Sequence, residues 1–144
     1  MSKRIQIPTQ QETAYQAMLG LEHYLAGTTL ATALKELIKI RASMLNNCAY
    51  CIQMHTTEAL KLGEDPQRLF ALAAWPESPL FSSAERAVLA MTDEVTQIGE
   101  AGLSDATYQE VLEHLGEKAL AEAIMQVVVI NAWNRIAVAC QMIH

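Results

Sequence analysis

The segment Asn46-Asn47-Cys48-Ala49-Tyr50-Cys51-Ile52-Gln53-Met54-His55-Thr56-Thr57-Glu58-Ala59 carries two of the chain's three cysteines and one of its four histidines. Its spacing predicts a helix that begins at or just before Cys48 and continues to Leu62, where Gly63 closes it. Asn46 and Asn47 tolerate the left-handed conformation of a sharp reversal, so the chain is expected to turn back there. At about 100° per residue, Cys48, Cys51 and His55 fall within roughly 60° of one another on the helix circumference. Two thiols at this spacing can close a small disulfide, and an imidazole one turn beyond can take or return a proton.

Outward from this segment the pattern is helical in both directions. A first helix is expected from about Gln10 to Ala26, with Tyr15, Met18, Leu19, Leu21 and Leu25 as its apolar stripe and Gly27 as its stop. A second runs from about Leu30 to Leu45 and carries Leu34, Leu37, Ile38 and Leu45 at three-and-four spacing. Beyond Gly63, Asp65-Pro66 opens a short helix to about Ala74, and Pro76 and Pro79 mark a loop. Ser82-Ser83-Ala84-Glu85 reads as a capping box for a helix to about Ile98. Ser104 caps a further short helix that stops at Gly116, and a last helix occupies about Glu117 to Met142. The run Val127-Val128-Val129-Ile130 favours strand by propensity, but the unbroken length around it favours helix. No repeat or long linker divides the chain, so residues 1–144 are expected to form one all-α domain, with an antiparallel helix pair at its centre.

Composition narrows the partners. A net charge of -6, with no cluster of Lys and Arg, argues against a nucleic-acid surface. The start, Met1-Ser2-Lys3-Arg4-Ile5-Gln6-Ile7-Pro8, has no apolar run behind its basic residues, so a cytoplasmic setting is expected and no secretory leader is read there. Thiols in that compartment are kept reduced, which makes a close cysteine pair catalytic or metal-binding rather than structural. The apolar stretch Ala119 to Ile143 is interrupted by Glu122, Gln126, Asn131, Asn134, Arg135 and Gln141. It reads as a helix buried on most sides, not as a membrane span.

Helix position alone does not make these thiols reactive. Lowering a thiol pKa from about 8.5 to about 7 raises the thiolate fraction at neutral pH some sixteen-fold, but intrinsic nucleophilicity falls roughly five-fold, for a net gain of about three-fold. A proton donor for the leaving atom is needed as well, and His55 is placed to supply it. An imidazole works best when a carboxylate holds its far nitrogen. Glu36 is the candidate: ten residues back from position 46 and nine forward from it give about 14 to 15 Å of axial rise each way, so an antiparallel pair brings Glu36 level with His55.

Glu36, eleven intervening residues, Cys48, two, Cys51, three, His55 resembles the core motif of the alkylhydroperoxidase D-like (AhpD-like) proteins of the carboxymuconolactone decarboxylase superfamily. The resemblance extends over most of residues 30 to 140, taking in Leu37 to Ser43, Ala59 to Gly63, Phe81 to Ala87 and Asn131-Ala132-Trp133-Asn134-Arg135. It implies an all-helical fold, assembly into a trimer or hexamer, and cofactor-free, metal-free reduction of a hydroperoxide or disulfide substrate. The cysteines would cycle through a disulfide, with Cys51 meeting peroxide, Cys48 resolving, and His55 and Glu36 relaying protons. A dithiol reductant such as a lipoyl or thioredoxin-like protein would restore the thiols. The chain departs from the best-known members at Tyr50, where they carry a second histidine; a phenol with a pKa near 10 is a weaker proton shuttle at neutral pH.

Other readings of the same residues compete. Cys48, Cys51 and His55, joined by Glu36, His114 or His144, could hold a structural zinc, but there is no second CxxC. Ile52 after Cys51 excludes c-type haem attachment. Cofactor-free decarboxylation of a lactone acid would need an anion pocket rather than a thiol pair. A helical oligomer that senses redox state without turnover is a third possibility. Arg135 is expected to pair with a carboxylate such as Glu85, Cys140 to act as a small buried hydrophobe, and His23, His114 and His144 to lie at the surface. The last helix has more apolar residues than one core-facing stripe requires, which points to a second buried face between subunits.

Overall fold

The computed structural model describes residues 4–143. Eight α-helices, in chain order α1 (Ile7–Gln10), α2 (Glu12–Ala26), α3 (Thr32–Leu45), α4 (Ala49–Lys61), α5 (Pro66–Ala71), α6 (Ser83–Thr96), α7 (Ile98–Ala101) and α8 (Asp105–Cys140), make up the architecture with one 3-10 segment, Leu72–Glu77. No strand occurs among the described residues, and Val127 to Ile130 lie inside α8. Their β-branched side chains pack on α-helical neighbours, an instance of tertiary burial overriding local propensity.

Helix α3 is the centre of the molecule. Leu37, Ile38 and Ile40 are fully buried because α4, α6 and α8 pack around it on different sides. Each such side chain contributes roughly 1.5 to 3 kcal/mol on burial. The apolar core continues through Leu72, Val88, Leu89, Met91, Val111, Val127 and Ile130. Two buried polar groups fix the entry to α3. Lys35 Nζ donates to the Leu25 carbonyl at 2.7 Å, supplying a cation to the free carbonyls at the end of α2. Glu122 of α8 accepts from Thr29 Oγ1 at 2.9 Å and from the Leu30 N–H at 3.0 Å, tying the α2–α3 loop to the last helix.

Local signals account for most boundaries. Asp65 accepts from the Gln67 N–H, and Ser82 and Glu85 form the reciprocal capping box. Gly116 has φ 77° and ψ 167°, so α8 is two helical stretches joined at a residue that tolerates this backbone. Three expectations need correction. The expected first helix begins at Glu12 rather than Gln10, and a further short helix, α1, precedes it across the non-helical Gln11 (φ -140°). Pro76 lies inside the 3-10 segment, whose loose geometry accommodates it, so the loop begins later than its prolines suggest. Arg135 does not meet Glu85; it donates to Asn131 on its own helix at 2.9 Å, while Arg68 Nη2 reaches Glu85 at 2.5 Å.

In its most apolar 18-residue window α8 has a mean hydropathy of 1.4, enough by length and composition to cross a membrane. In this fold 44% of that window is buried in protein, and Glu122, Gln126 and Asn134 are among the buried residues of the helix.

Candidate active site

One residue both closes α3 and opens α4. Asn47 takes the left-handed conformation at φ 53°, its N–H donates to the Met44 carbonyl at 3.2 Å, and the Cys48 N–H donates to the Ser43 carbonyl at 2.9 Å. That pair of bonds ends a helix in a Schellman turn. Cys48 is then the N-cap of α4, and its Sγ accepts the Cys51 N–H at 3.3 Å. The helical-wheel placement therefore holds for Cys51 and His55 but not for Cys48, whose backbone is non-helical at φ -90° and ψ 89°. Cys48 and Cys51 are 1% and 2% exposed, both free thiols, packed with Ala137 of α8.

Glu36 and His55 meet across the α3–α4 hairpin, with Nδ1 of His55 3.1 Å from Oε2 of Glu36. The other carboxylate oxygen, Oε1, accepts from Lys39 Nζ at 2.8 Å. All three side chains are largely buried, at 6% exposure for Glu36, 12% for His55 and 14% for Lys39. Burial opposes the charge on Glu36, but the hydrogen bonds from His55 and Lys39 and the Lys39 charge outweigh it, and the carboxyl is held below the usual carboxylate range. An ionised Glu36 can accept a hydrogen bond from a proton-bearing Nδ1 of His55, which leaves Nε2 as the ring nitrogen not engaged by the carboxylate.

The Cys51 thiol is displaced in the opposite direction from the helix-start expectation. Burial first, and then the hydrogen bond and charge of Cys48, push it up to about 12. Desolvation of a thiolate outweighs the dipole of a short helix here. Asn134 of α8 acts on Cys51 the other way, favouring the thiolate. Its amide is fully buried and oriented at both ends: Oδ1 accepts from Asn46 Nδ2 at 2.9 Å, and Nδ2 donates to Ser43 Oγ at 2.9 Å. Asn46 also donates to Asn131 Oδ1 at 2.9 Å, so the turn preceding Cys48 is bonded to α8 through two asparagines.

Cys51 and His55 open onto a cavity of about 280 Å³. Cys48 is not among its walls, whereas Tyr50, Cys140, Trp133 and the α1 residues Ile7 and Pro8 are. Among the described residues no group of three His, Cys, Asp or Glu side chains is placed to hold a metal ion. His114 is exposed on α8, away from the cysteines, and His144 lies outside the described residues.

Residues 12–94, which contain the whole Glu36 to His55 segment, match the carboxymuconolactone decarboxylase family. The chain belongs to that family. Uncharacterized protein YdfG of Bacillus subtilis (strain 168) is 36% identical over 139 residues, spanning 96% of this chain and 95% of the relative. A crystal structure of an Agrobacterium tumefaciens protein of unknown function, proposed to be an antioxidant defence protein AhpD, aligns with a TM-score of 0.96 at 34% identity over 99% of this chain and 98% of that one. The apo form of the debrominase Bmp8 aligns at a TM-score of 0.81 over 92% and 72% of the two chains; at 22% identity that likeness is one of fold. The all-α AhpD-like fold is thus the fold of this carboxymuconolactone decarboxylase family member.

Several residues around the cysteines carry no motif signal of their own. Lys39 could have been noticed as the i+3 neighbour of Glu36 on one helix face. Asn131 and Asn134 register in sequence as interruptions of an apolar run and as part of the resemblance, with no sign that they bond the turn before Cys48. The cavity wall built by Tyr15, Glu22 and Trp133 has no local signal, because it joins α2 to α8 across more than a hundred residues.

Proposed function

We propose that the protein is a thiol-dependent oxidoreductase that reduces hydroperoxides or disulfides through a Cys48–Cys51 redox pair, with His55 and Glu36 as its proton relay. One observation carries this reading: Cys51 and His55 face the same cavity, and Cys48 lies behind Cys51 with its sulfur on the Cys51 N–H. Burial and the neighbouring Cys48 keep Cys51 in its thiol form at neutral pH, so attack requires a base at the moment of reaction. His55 Nε2 takes the Cys51 proton as the sulfur attacks the distal peroxide oxygen. The O–O bond breaks, the departing alkoxide takes the proton back from His55 and leaves as an alcohol, and Cys51 becomes a sulfenic acid. The Cys48 sulfur then attacks the Cys51 sulfur; hydroxide leaves with the Cys48 proton as water, and a disulfide forms. Exchange with a dithiol returns both thiols and oxidises the dithiol to its disulfide.

With both thiols almost inaccessible, small molecules and slender groups are the reactants that fit. A lipoyl arm meets that requirement more readily than the face of a folded thioredoxin-like protein. The decarboxylation that gives the family its name acts on an acid, and no lysine or arginine occurs among the described residues lining the cavity, which carries the carboxylate of Glu22 instead. Val128 and Val138, about half exposed on α8, supply an apolar face for assembly into a trimer or hexamer. The cytosol, where dithiol donors are abundant, is the setting in which the cycle closes.

The test is hydroperoxide-dependent oxidation of a dithiol such as dihydrolipoamide. Cys48→Ser and Cys51→Ser are each expected to abolish turnover. Full activity in the double variant would sink the reading, and a disulfide that forms with peroxide but is never recycled would favour a redox sensor.

A further inference from the structure

The cavity wall is apolar apart from a few groups, and one of these is an acid. Tyr15, Leu19, Met54, Trp133 and Ile136 line it, and Glu22 projects among them from α2. Trp133 Nε1 donates to Glu22 Oε1 at 2.8 Å, and the Trp133 ring is itself braced by Tyr15, edge to face at 5.4 Å between centroids and 76° between planes. The carboxylate is thus held in one orientation by a tryptophan that is held in turn. Among the described residues Glu22 has no cationic partner and Oε2 no hydrogen bond, while the cavity offers no lysine or arginine. His55, the remaining group there able to carry positive charge, has its Nδ1 against Glu36.

A fixed, unneutralised carboxylate on an apolar wall attracts donors and cations and opposes a second anion, more strongly than it would in water. Size sets the other limit. A cavity of about 150 Å³ accommodates benzene, so the 280 Å³ here suits one substituted ring or a chain of similar bulk.

We propose that Glu22 is a specificity-determining residue: the cavity accepts apolar molecules of one-ring size that carry a hydrogen-bond donor or a positive charge, and rejects those ending in a carboxylate. The inference deepens the oxidoreductase reading, and rests on it in treating this cavity as the substrate site. Within that reading the favoured oxidants are uncharged or amine-bearing organic hydroperoxides, and acid hydroperoxides are poor ones.

Binding tests the proposal without relying on turnover. The probes are 4-isopropylbenzylamine, 4-isopropylbenzyl alcohol and 4-isopropylbenzoate, which share one ring and one tail and differ in the charge of the polar end. Their affinities for wild type, Glu22→Gln and Glu22→Lys are read at pH 7.5 from Trp133 fluorescence and checked by equilibrium dialysis. Wild type is expected to bind the amine at least tenfold tighter than the benzoate, with the alcohol between them. Glu22→Gln, which keeps the acceptor for Trp133, should narrow that gap to about threefold, and Glu22→Lys should invert it. Equal affinities in wild type, a gap that survives both variants, or no binding of any probe would overturn the proposal. Turnover of uncharged cumene hydroperoxide by wild type separates the two readings: its absence alongside an intact charge ranking overturns the peroxidase reading alone.

Discussion

His55 Nδ1 and Glu36 Oε2 lie 3.1 Å apart although nineteen residues separate them in the chain. The contact fixes the imidazole in the wall of the cavity it shares with Cys51, and removing it should be felt in rate before stability. Glu36→Gln is expected to lower kcat/KM for a small hydroperoxide by about 10²-fold, the scale of a positioned acid–base group. Stopped-flow oxidation of the reduced protein, with thiol counting at the end, checks this; an unchanged rate would remove Glu36 from the relay.

Lys39 should tune the same relay. Its hydrogen bond and charge both help to hold the Glu36 carboxyl low, against burial, which raises it. In wild type Glu36 therefore stays ionised as pH falls past 4.5, and the contribution of that charge is lost only on passing below its depressed folded value. In Lys39→Met the opposing effect of burial remains while the lysine contributions go, so the acid limb of the pH–activity profile should move up by about one unit. Lys39→Arg should keep the limb in place. A limb that moves equally in both variants would mean the lysine acts through packing alone.

The displacement of Cys51 to about 12 predicts its alkylation behaviour. Iodoacetamide modification of Cys51, followed by peptide mapping in the reduced protein, should accelerate about tenfold per pH unit from pH 7 to 9 without a plateau. A plateau below pH 8 would show that the thiolate is already populated and that no base is needed.

Asn134 should be the costliest polar side chain to remove near the site. Its amide accepts from Asn46 and donates to Ser43, and truncation leaves both groups short of a partner in the core. Asn134→Ala is expected to cost about 2 kcal/mol and to lower Tm by roughly 4 to 8 °C. Thermal unfolding followed by circular dichroism measures this, and a loss under about 1 °C would show that the network relaxes without it.

What is legible in the sequence follows from distance along the chain. Asn47, Gly63 and Gly116 announce their positive φ by residue type, and the Ser82–Glu85 capping box is a four-residue pattern. The level placement of Glu36 and His55 also follows, because both sit in one hairpin where axial rise per residue sets the register. Cys51 shows where this reasoning stops. Its place at a helix start is local and readable, but its burial depends on Ala137, eighty-six residues later, and burial governs the thiol. Arg135 and Arg68 make the same point: both could reach Glu85 by composition, and only the packing of α5 beside the start of α6 decides between them.

The cavity wall is assembled from pieces far apart in sequence. Ile7 and Pro8 lie near one end of the chain, Cys140 and Met142 near the other, and Arg4 donates to the Ala139 carbonyl at 2.7 Å between them. The groups proposed to react, by contrast, all come from one hairpin between Glu36 and His55. On the proposed reading, the hairpin supplies the reacting groups together with the Tyr50 and Met54 part of the wall, and the rest of the wall comes from outside it. Under the proposed function, substitutions in α2 and the last turns of α8 would change which molecules fit while leaving the Cys51 and His55 side of the wall in place.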